Sequence, residues 1–176
     1  MTPLLGGAFD PPHNGHVALA AAVRERFGEP VILVTADPGH KTTVASAADR
    51  LALARAAFPG YRVELDEHAR TVDLLRDGRF AEPLVVIGAD EYADFPTWKE
   101  PEEVRRLARL AVATRPGFAV RGDVEQFELE PLPIASRELR GRVAAGEPID
   151  AFVPGAVAEL IRAKGLYVGP HGYTES

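Results

Sequence analysis

Cysteine is absent from the 176-residue chain. That excludes a disulfide scaffold, a thiol nucleophile, and any zinc or iron–sulfur site built on cysteine. Excess positive charge is missing too: 20 lysines and arginines against 26 acidic residues leave a net charge of -6. Such a chain is ill-suited to non-specific binding of nucleic acid or an anionic membrane, although a local basic pocket for phosphate is compatible with it. No apolar stretch is long enough to span a bilayer. Met1–Leu5 runs straight into two glycines, without the charged start and longer apolar run of a signal peptide. The expectation is a soluble, cytoplasmic protein with no nucleic-acid or membrane partner and an open oligomeric state. Hydrophobic residues make up 46% of the chain, enough at this length to bury a core without staples. With no repeat, low-complexity segment or linker, residues 1–176 read as one domain.

Short apolar runs alternate with amphipathic stretches. Pro3–Leu5, Val31–Val34, Tyr61–Leu65, Leu84–Ile87, Leu110–Ala113 and Phe127–Leu129 read as strands. Between them, helices are predicted over Asn14–Phe27, from the capping Ser46 to Phe58, over Thr71–Leu75, and across Glu102–Arg106. Beyond them, Ser136 opens a helix to about Ala145, and Pro154 starts another that Gly165 stops. Gly169–Ser176 reads as a polar tail. This alternation predicts an α/β domain with a mostly parallel sheet and a small helical C-terminal part at about 131–168. Ligands of such sheets bind beyond the carboxyl ends of the strands, near a topological switch point. The informative residues fall in those loops: Gly6–His16, Pro38–Lys41, Gly88–Trp98 and Thr114–Gly117.

Gly6-Gly7-Ala8-Phe9-Asp10-Pro11-Pro12-His13-Asn14-Gly15-His16 joins a strand, a glycine turn, a proline-stiffened bend and a helix start. Glycines let a ligand approach the backbone, and a helix start offers unpaired N–H groups to an anion. His13 and His16, three apart, share one side of the first turn, where two imidazoles suit a phosphate chain and bound phosphate favours their protonation. A glycine pair alone is an ordinary turn, and a lone helical histidine is ordinarily structural. A metal-binding pair would need a third ligand, and none stands at matching spacing.

This string resembles the signature of the nucleotidyltransferases with the His-x-Gly-His motif, and its double glycine and phenylalanine most resemble the nicotinate-nucleotide adenylyltransferase family. The resemblance spans nearly the whole chain. It implies a Rossmann-like, doubly wound sheet with helices on both faces. It also implies adenylyl transfer from ATP, with magnesium, to nicotinate mononucleotide, giving nicotinate adenine dinucleotide and pyrophosphate in NAD biosynthesis. Gly6 would then face the pyridine nucleotide, and Gly7, Ala8, Phe9 and Gly15 the ATP.

Later motifs follow in the family's order. Pro38-Gly39-His40-Lys41 resembles its Pro-His-Lys loop, which makes Lys41 a holder of ATP phosphates. In Ala48-Asp49-Arg50-Leu51, Arg50 reads as a surface or helix-packing residue rather than a ligand. Ala69-Arg70-Thr71-Val72-Asp73-Leu74-Leu75 resembles the Ser-Tyr-Thr-x-Asp-Thr-Leu stretch beside the nicotinate pocket. It has arginine in place of tyrosine and leucine in place of the second threonine. Thr71 either helps bind the nicotinate carboxylate or caps its helix. Gly88-Ala89-Asp90 resembles a Gly-x-Asp, with Asp90 accepting from ribose hydroxyls or capping a helix. Trp98, the only tryptophan, matches the family residue that stacks on the pyridine ring. Arg115 of Arg115-Pro116-Gly117 would meet the mononucleotide phosphate, or be a surface arginine.

Ile134-Ala135-Ser136-Arg137-Glu138-Leu139-Arg140 stands where the family has Ile-Ser-Ser-Thr-x-Ile-Arg. Ser136 and Arg140 match; Ala135 and Arg137 remove two hydroxyls from a helix start expected to hold ATP phosphates. His13, His16, Lys41 and Arg140 are the implied catalytic set, with His16 nearest the reacting phosphate. Magnesium would ride on the ATP phosphates. Open alternatives are a nicotinamide mononucleotide or pantetheine-phosphate adenylyltransferase, a cytidylyltransferase, and a non-catalytic nucleotide sensor.

Overall fold

The computed structural model describes residues 1–39 and 42–169. Lys41 and all of the expected tail except Gly169 lie outside them. Six strands form one sheet: β1 (Thr2–Gly7), β2 (Val31–Thr35), β3 (Arg62–Asp66), β4 (Pro83–Gly88), β5 (Arg109–Thr114) and β6 (Glu125–Glu128). Their order is β3-β2-β1-β4-β5-β6, and every pair is parallel. The chain winds from β1 out to β3, then returns beside β1 as β4. The switch point therefore lies between β1 and β4, as expected of a Rossmann-like doubly wound sheet.

Period-two alternation sorts each strand between two cores. Leu5, Ile32, Val34, Leu84, Val86 and Ala111 point to one face. There they meet α1 (Asn14–Phe27), α2 (Ala47–Ala57), α6 (Ser136–Ala144) and α7 (Gly155–Lys164) through Val23, Leu53, Leu139 and Val157. Leu4, Val31, Leu33, Val85, Ile87 and Val112 point to the other. That face is covered by α3 (Thr71–Arg76) and α5 (Pro101–Leu107) through Val72, Leu75 and Val104. Among the described residues, no helix is long and apolar enough to cross a membrane.

Gly88–Trp98, read from sequence as a loop, is instead helical: α4 (Ala89–Asp94) followed by a 3-10 turn at Phe95–Thr97. No residue of α4 is buried, so it has no apolar periodicity to reveal it. Glu91 caps it, accepting from the Gly88 N–H at 3.1 Å.

Arg50 corrects the surface alternative. Its side chain is buried among backbone carbonyls. Nε donates to Ala45 O at 3.2 Å, Nη1 to Ala8 O at 2.9 Å and Thr35 O at 2.7 Å, and Nη2 to Ala36 O at 2.8 Å. One planar fork thus joins the ends of β1 and β2 to the entry of α2. Arg50→Met would leave these carbonyls without donors, and lysine lacks the fork to replace it. Urea titration of Arg50→Met is expected to show a loss of about 3 kcal/mol, or roughly 10 °C in Tm. An unchanged midpoint would contradict this role.

Candidate active site

β1 ends at the switch point, and the turn into α1 is held from several sides. Phe9 adopts φ 51°, a left-handed conformation that a bulky residue occupies only under strain. Its ring is buried, edge-on to His16 at 5.1 Å and to Phe58 at 5.6 Å. A Cβ at position 7 would come within 3.0 Å of that ring, so Gly7 makes room for Phe9.

Asp10 is only 3% exposed. Its carboxylate accepts from Val44 N–H at 2.7 Å, Ala45 N–H at 3.1 Å and the Tyr167 hydroxyl at 2.7 Å. Burial, and next the Asp10 charge, push the Tyr167 hydroxyl far above the usual tyrosine range, so it stays a donor. Arg140 Nη1 donates to the Asp10 carbonyl at 2.8 Å and lies 4.0 Å from its carboxylate. Ser136 Oγ donates to Pro11 O at 2.8 Å, and Asn14 N–H to Phe152 O at 2.9 Å. Ser136 is the first residue of α6, as its sequence position predicts; Ala135 occupies the cap, with no side-chain bond.

The two histidines meet as their spacing predicts. His13 caps α1, and its Nδ1 accepts from Gly15 N–H at 3.1 Å. His16 Nδ1 accepts from His13 N–H at 3.1 Å. The rings stack with centroids 3.8 Å apart. A Cβ on Gly15 would lie 2.9 Å from the His13 ring, which gives that glycine its reason. Because each Nδ1 accepts a backbone proton, each neutral ring carries its own proton on Nε2. Burial pulls the His13 pKa down to about 4. Without a bound phosphate the His13 ring is therefore a neutral N–H donor at pH 7.

On the opposite face of β1 lies a cavity of about 600 Å³. Gly6, Gly7 and Ala8 form its floor, with Leu33, Val85 and Ile87. A Cβ on Gly6 would meet nothing within 4 Å. Thr71, Asp90 and Trp98 also line it. Trp98 is half-buried against Phe95, their centroids 5.3 Å apart. Neither expected capping alternative is formed here: Arg70 occupies the α3 cap without a side-chain bond, and Glu91 serves α4 in place of Asp90.

The structure thus gathers the expected residues into two groups on either side of the Gly6–Phe9 turn. His13, Gly15, His16, Ser136 and Arg140 stand on one side; Gly6, Gly7, Ala8, Thr71, Asp90 and Trp98 face the cavity on the other. Gly88 lies at the end of β4 and caps α4, the helix that carries Asp90. Arg115 joins neither: it is exposed in a turn after β5, closed by Phe118 N–H to Arg115 O at 3.0 Å. Sequence reasoning missed Asp10 and Tyr167. It also missed His68, whose Nδ1 is 2.8 Å from Asp66 Oδ1 at the cavity wall. Asp10 stood within the quoted string, but nothing local marks its distant partners. Among the described residues, no three His, Asp or Glu side chains group as metal ligands.

The lowered His13 pKa ties stability to pH. Below the ordinary value of 6.5 the unfolded chain takes up a proton that folded His13 refuses until about pH 4. Its contribution is therefore full above pH 6.5 and fades as pH falls to about 4. Urea titrations across this window are expected to show a shallower decline for His13→Asn than for the parent protein. Equal slopes would contradict a buried, neutral His13.

The cytidylyltransferase-like family model matches residues 4–156. A protein of Arthrobacter sp. (strain FB24) is 36% identical, with 94% of this chain and 90% of that one covered. One of Streptomyces coelicolor is 35% identical, covering 94% of this chain and all of its own. One of Chlorobaculum parvum is 32% identical, over 94% and 98%. Each carries the name probable nicotinate-nucleotide adenylyltransferase. Among solved structures, the Plasmodium falciparum nicotinic acid mononucleotide adenylyltransferase complexed with NaAD shares the fold, with a TM-score of 0.76. It is 16% identical and covers 94% of this chain and 96% of its own. With the motifs of β1–α1, α3, β4–α4 and α6 in place, the chain belongs to the nicotinate-nucleotide adenylyltransferase family of cytidylyltransferase-like proteins.

Proposed function

We propose that the protein transfers the adenylyl group of ATP to nicotinate mononucleotide, releasing pyrophosphate and forming nicotinate adenine dinucleotide. The observation that carries this reading is the stacked His13–His16 pair. Its backbone-held Nδ1 atoms fix both Nε2–H donors at a turn whose other side floors a cavity of about 600 Å³.

In this reaction the 5′-phosphate of the mononucleotide attacks the α-phosphorus of ATP. A P–O bond forms as the bond to the β-phosphate oxygen breaks, and pyrophosphate leaves with its electron pair. The attacking phosphate is already anionic, so no general base is required. The protein's task is to align two anions and stabilise the gathered charge. His16 is assigned nearest the reacting phosphate, with His13 supporting it as a neutral donor. Arg140 serves through Nη2, which makes no hydrogen bond among the described residues, and through its buried Nε, which has no partner. Lys41 belongs to the same charge set by its motif. Gly7, Ala8, Phe9, Gly15, Gly88, Asp90 and Ser136 form the ATP side in this reading. Gly6, Thr71 and Trp98 form the pyridine side, where the indole supplies a flat apolar wall. Arg115, exposed in the turn after β5 and not among the residues that line the cavity, stays on that side as the candidate for the mononucleotide phosphate.

Magnesium enters as part of the ATP substrate, since the described residues supply no carboxylate cage. The reading takes residues 1–176 as one nucleotidyltransferase domain of the cytoplasm, with the helical region at about 131–168 contributing Ser136 and Arg140. One sheet shared by both cores supports that unity.

The test is pyrophosphate release with ATP, magnesium and either nicotinate mononucleotide or phosphopantetheine. Turnover with the pyridine nucleotide is expected, and His16→Ala is expected to lower it by about 100- to 1,000-fold. ATP binding without turnover would instead favour a nucleotide sensor, and turnover with phosphopantetheine alone would move the protein to another branch.

A further inference from the structure

We propose that Arg70 reads the carboxylate on the pyridine ring and makes the protein select the acid over its amide. This deepens the adenylyl-transfer reading and rests on it.

Three positively chargeable side chains line the cavity among the described residues: His68, Arg70 and Lys99. Two are already engaged. Lys99 Nζ lies 3.0 and 3.2 Å from the Asp73 carboxylate oxygens. His68 lies between Asp66, at 2.8 Å, and Asp77, at 3.6 Å. Arg70 has no carboxylate partner among the described residues; its one hydrogen bond runs from Nη1 to Ala69 O at 2.8 Å. The guanidinium lies against Gly39, where a Cβ would stand 2.9 Å from Nη1, so the glycine at φ 53° leaves the fork its space. Thr71, the next residue, also lines the cavity.

Charge in the cavity is polarised. Three of the four carboxylates that line it among the described residues, Asp90, Glu91 and Asp94, come from the segment after β4; the fourth, Asp66 at the end of β3, is held by His68 at 2.8 Å. In the sheet that segment is separated from the end of β3, where Arg70 stands, by β2 and β1. An anionic substituent is repelled on one side and drawn to Arg70 on the other; a neutral amide feels neither. A carboxylate can accept two parallel N–H bonds from the fork, whereas an amide presents one acceptor and turns a donor toward donors. The mononucleotide phosphate does not compete for this position in a productive complex, because it must reach the imidazole pair to react.

The experiment compares kcat/KM for nicotinate mononucleotide and nicotinamide mononucleotide in the parent protein, Arg70→Gln and Arg70→Lys. The parent is expected to prefer the acid. Arg70→Gln is expected to lower the acid-to-amide ratio by about 10- to 100-fold, mainly through KM for the acid, with Arg70→Lys between the two. The Arg70 side chain is exposed and, among the described residues, bonded only to its neighbour's carbonyl, and an unchanged Tm would show that the variants fold. A ratio unchanged in Arg70→Gln would overturn the proposal. So would parallel losses on both acceptors, which would mean that the fork meets their common phosphate. A parent that prefers the amide would overturn it while leaving adenylyl transfer standing; a parent that turns over neither acceptor would overturn both.

Discussion

Burying the carboxylate of Asp10 obliges the fold to surround it with donors, and those donors come from three distant parts of the chain. The segment before α2 gives two backbone N–H groups, Tyr167 beyond α7 gives a hydroxyl, and α6 brings a guanidinium. A buried carboxylate without such partners would cost several kcal/mol. The turn, the entry of α2, the start of α6 and the end of α7 are therefore settled together. Arg50 extends the same constraint by fastening the carbonyls at the ends of β1 and β2. The strained Phe9 persists because its surroundings fix it from both sides.

That clamp bears directly on the chemistry. An adenylyl transfer whose nucleophile is already charged asks little of proton transfer and much of alignment. Donors that must be gathered and ordered during the reaction stabilise its charge less than donors already in place. The imidazole pair meets this demand through the backbone: each ring is oriented by an N–H of the turn, and the rings stack on each other. Burial then keeps His13 neutral, so its contribution is directional rather than ionic. In the proposed reaction positive charge is assigned instead to other groups, among them Arg140, whose attachment to the Asp10 carbonyl ties it to the same turn.

Sequence periodicity was sufficient for most strands and helices because their apolar residues fall at periods of 2 and 3.6. It carried no trace of α4, six residues without a buried member. The imidazole pair was legible because a cap and the third helical residue stand three apart by geometry alone. Thr71 and Ser136 open their helices as read, but the caps fall one residue earlier, at Arg70 and Ala135, so the capping alternative for Thr71 is not formed. Arg50 was hidden because an arginine on an amphipathic helix ordinarily faces solvent, and its carbonyl partners lie up to 42 residues away. Asp10 was hidden for the same reason, with partners 34 to 157 residues distant. Arg115 sits in a recognisable motif, in a turn after β5 that supplies no residue to the cavity lining.

The central claim is that a buried, donor-saturated turn holds two histidines as preoriented N–H donors. Long-range nitrogen–proton NMR correlation of the histidine rings at pH 7 tests it most directly. The account expects His13 and His16 each to show an unprotonated Nδ1 and a proton on Nε2. Protonated Nδ1 atoms, or rings averaging between tautomers, would contradict it.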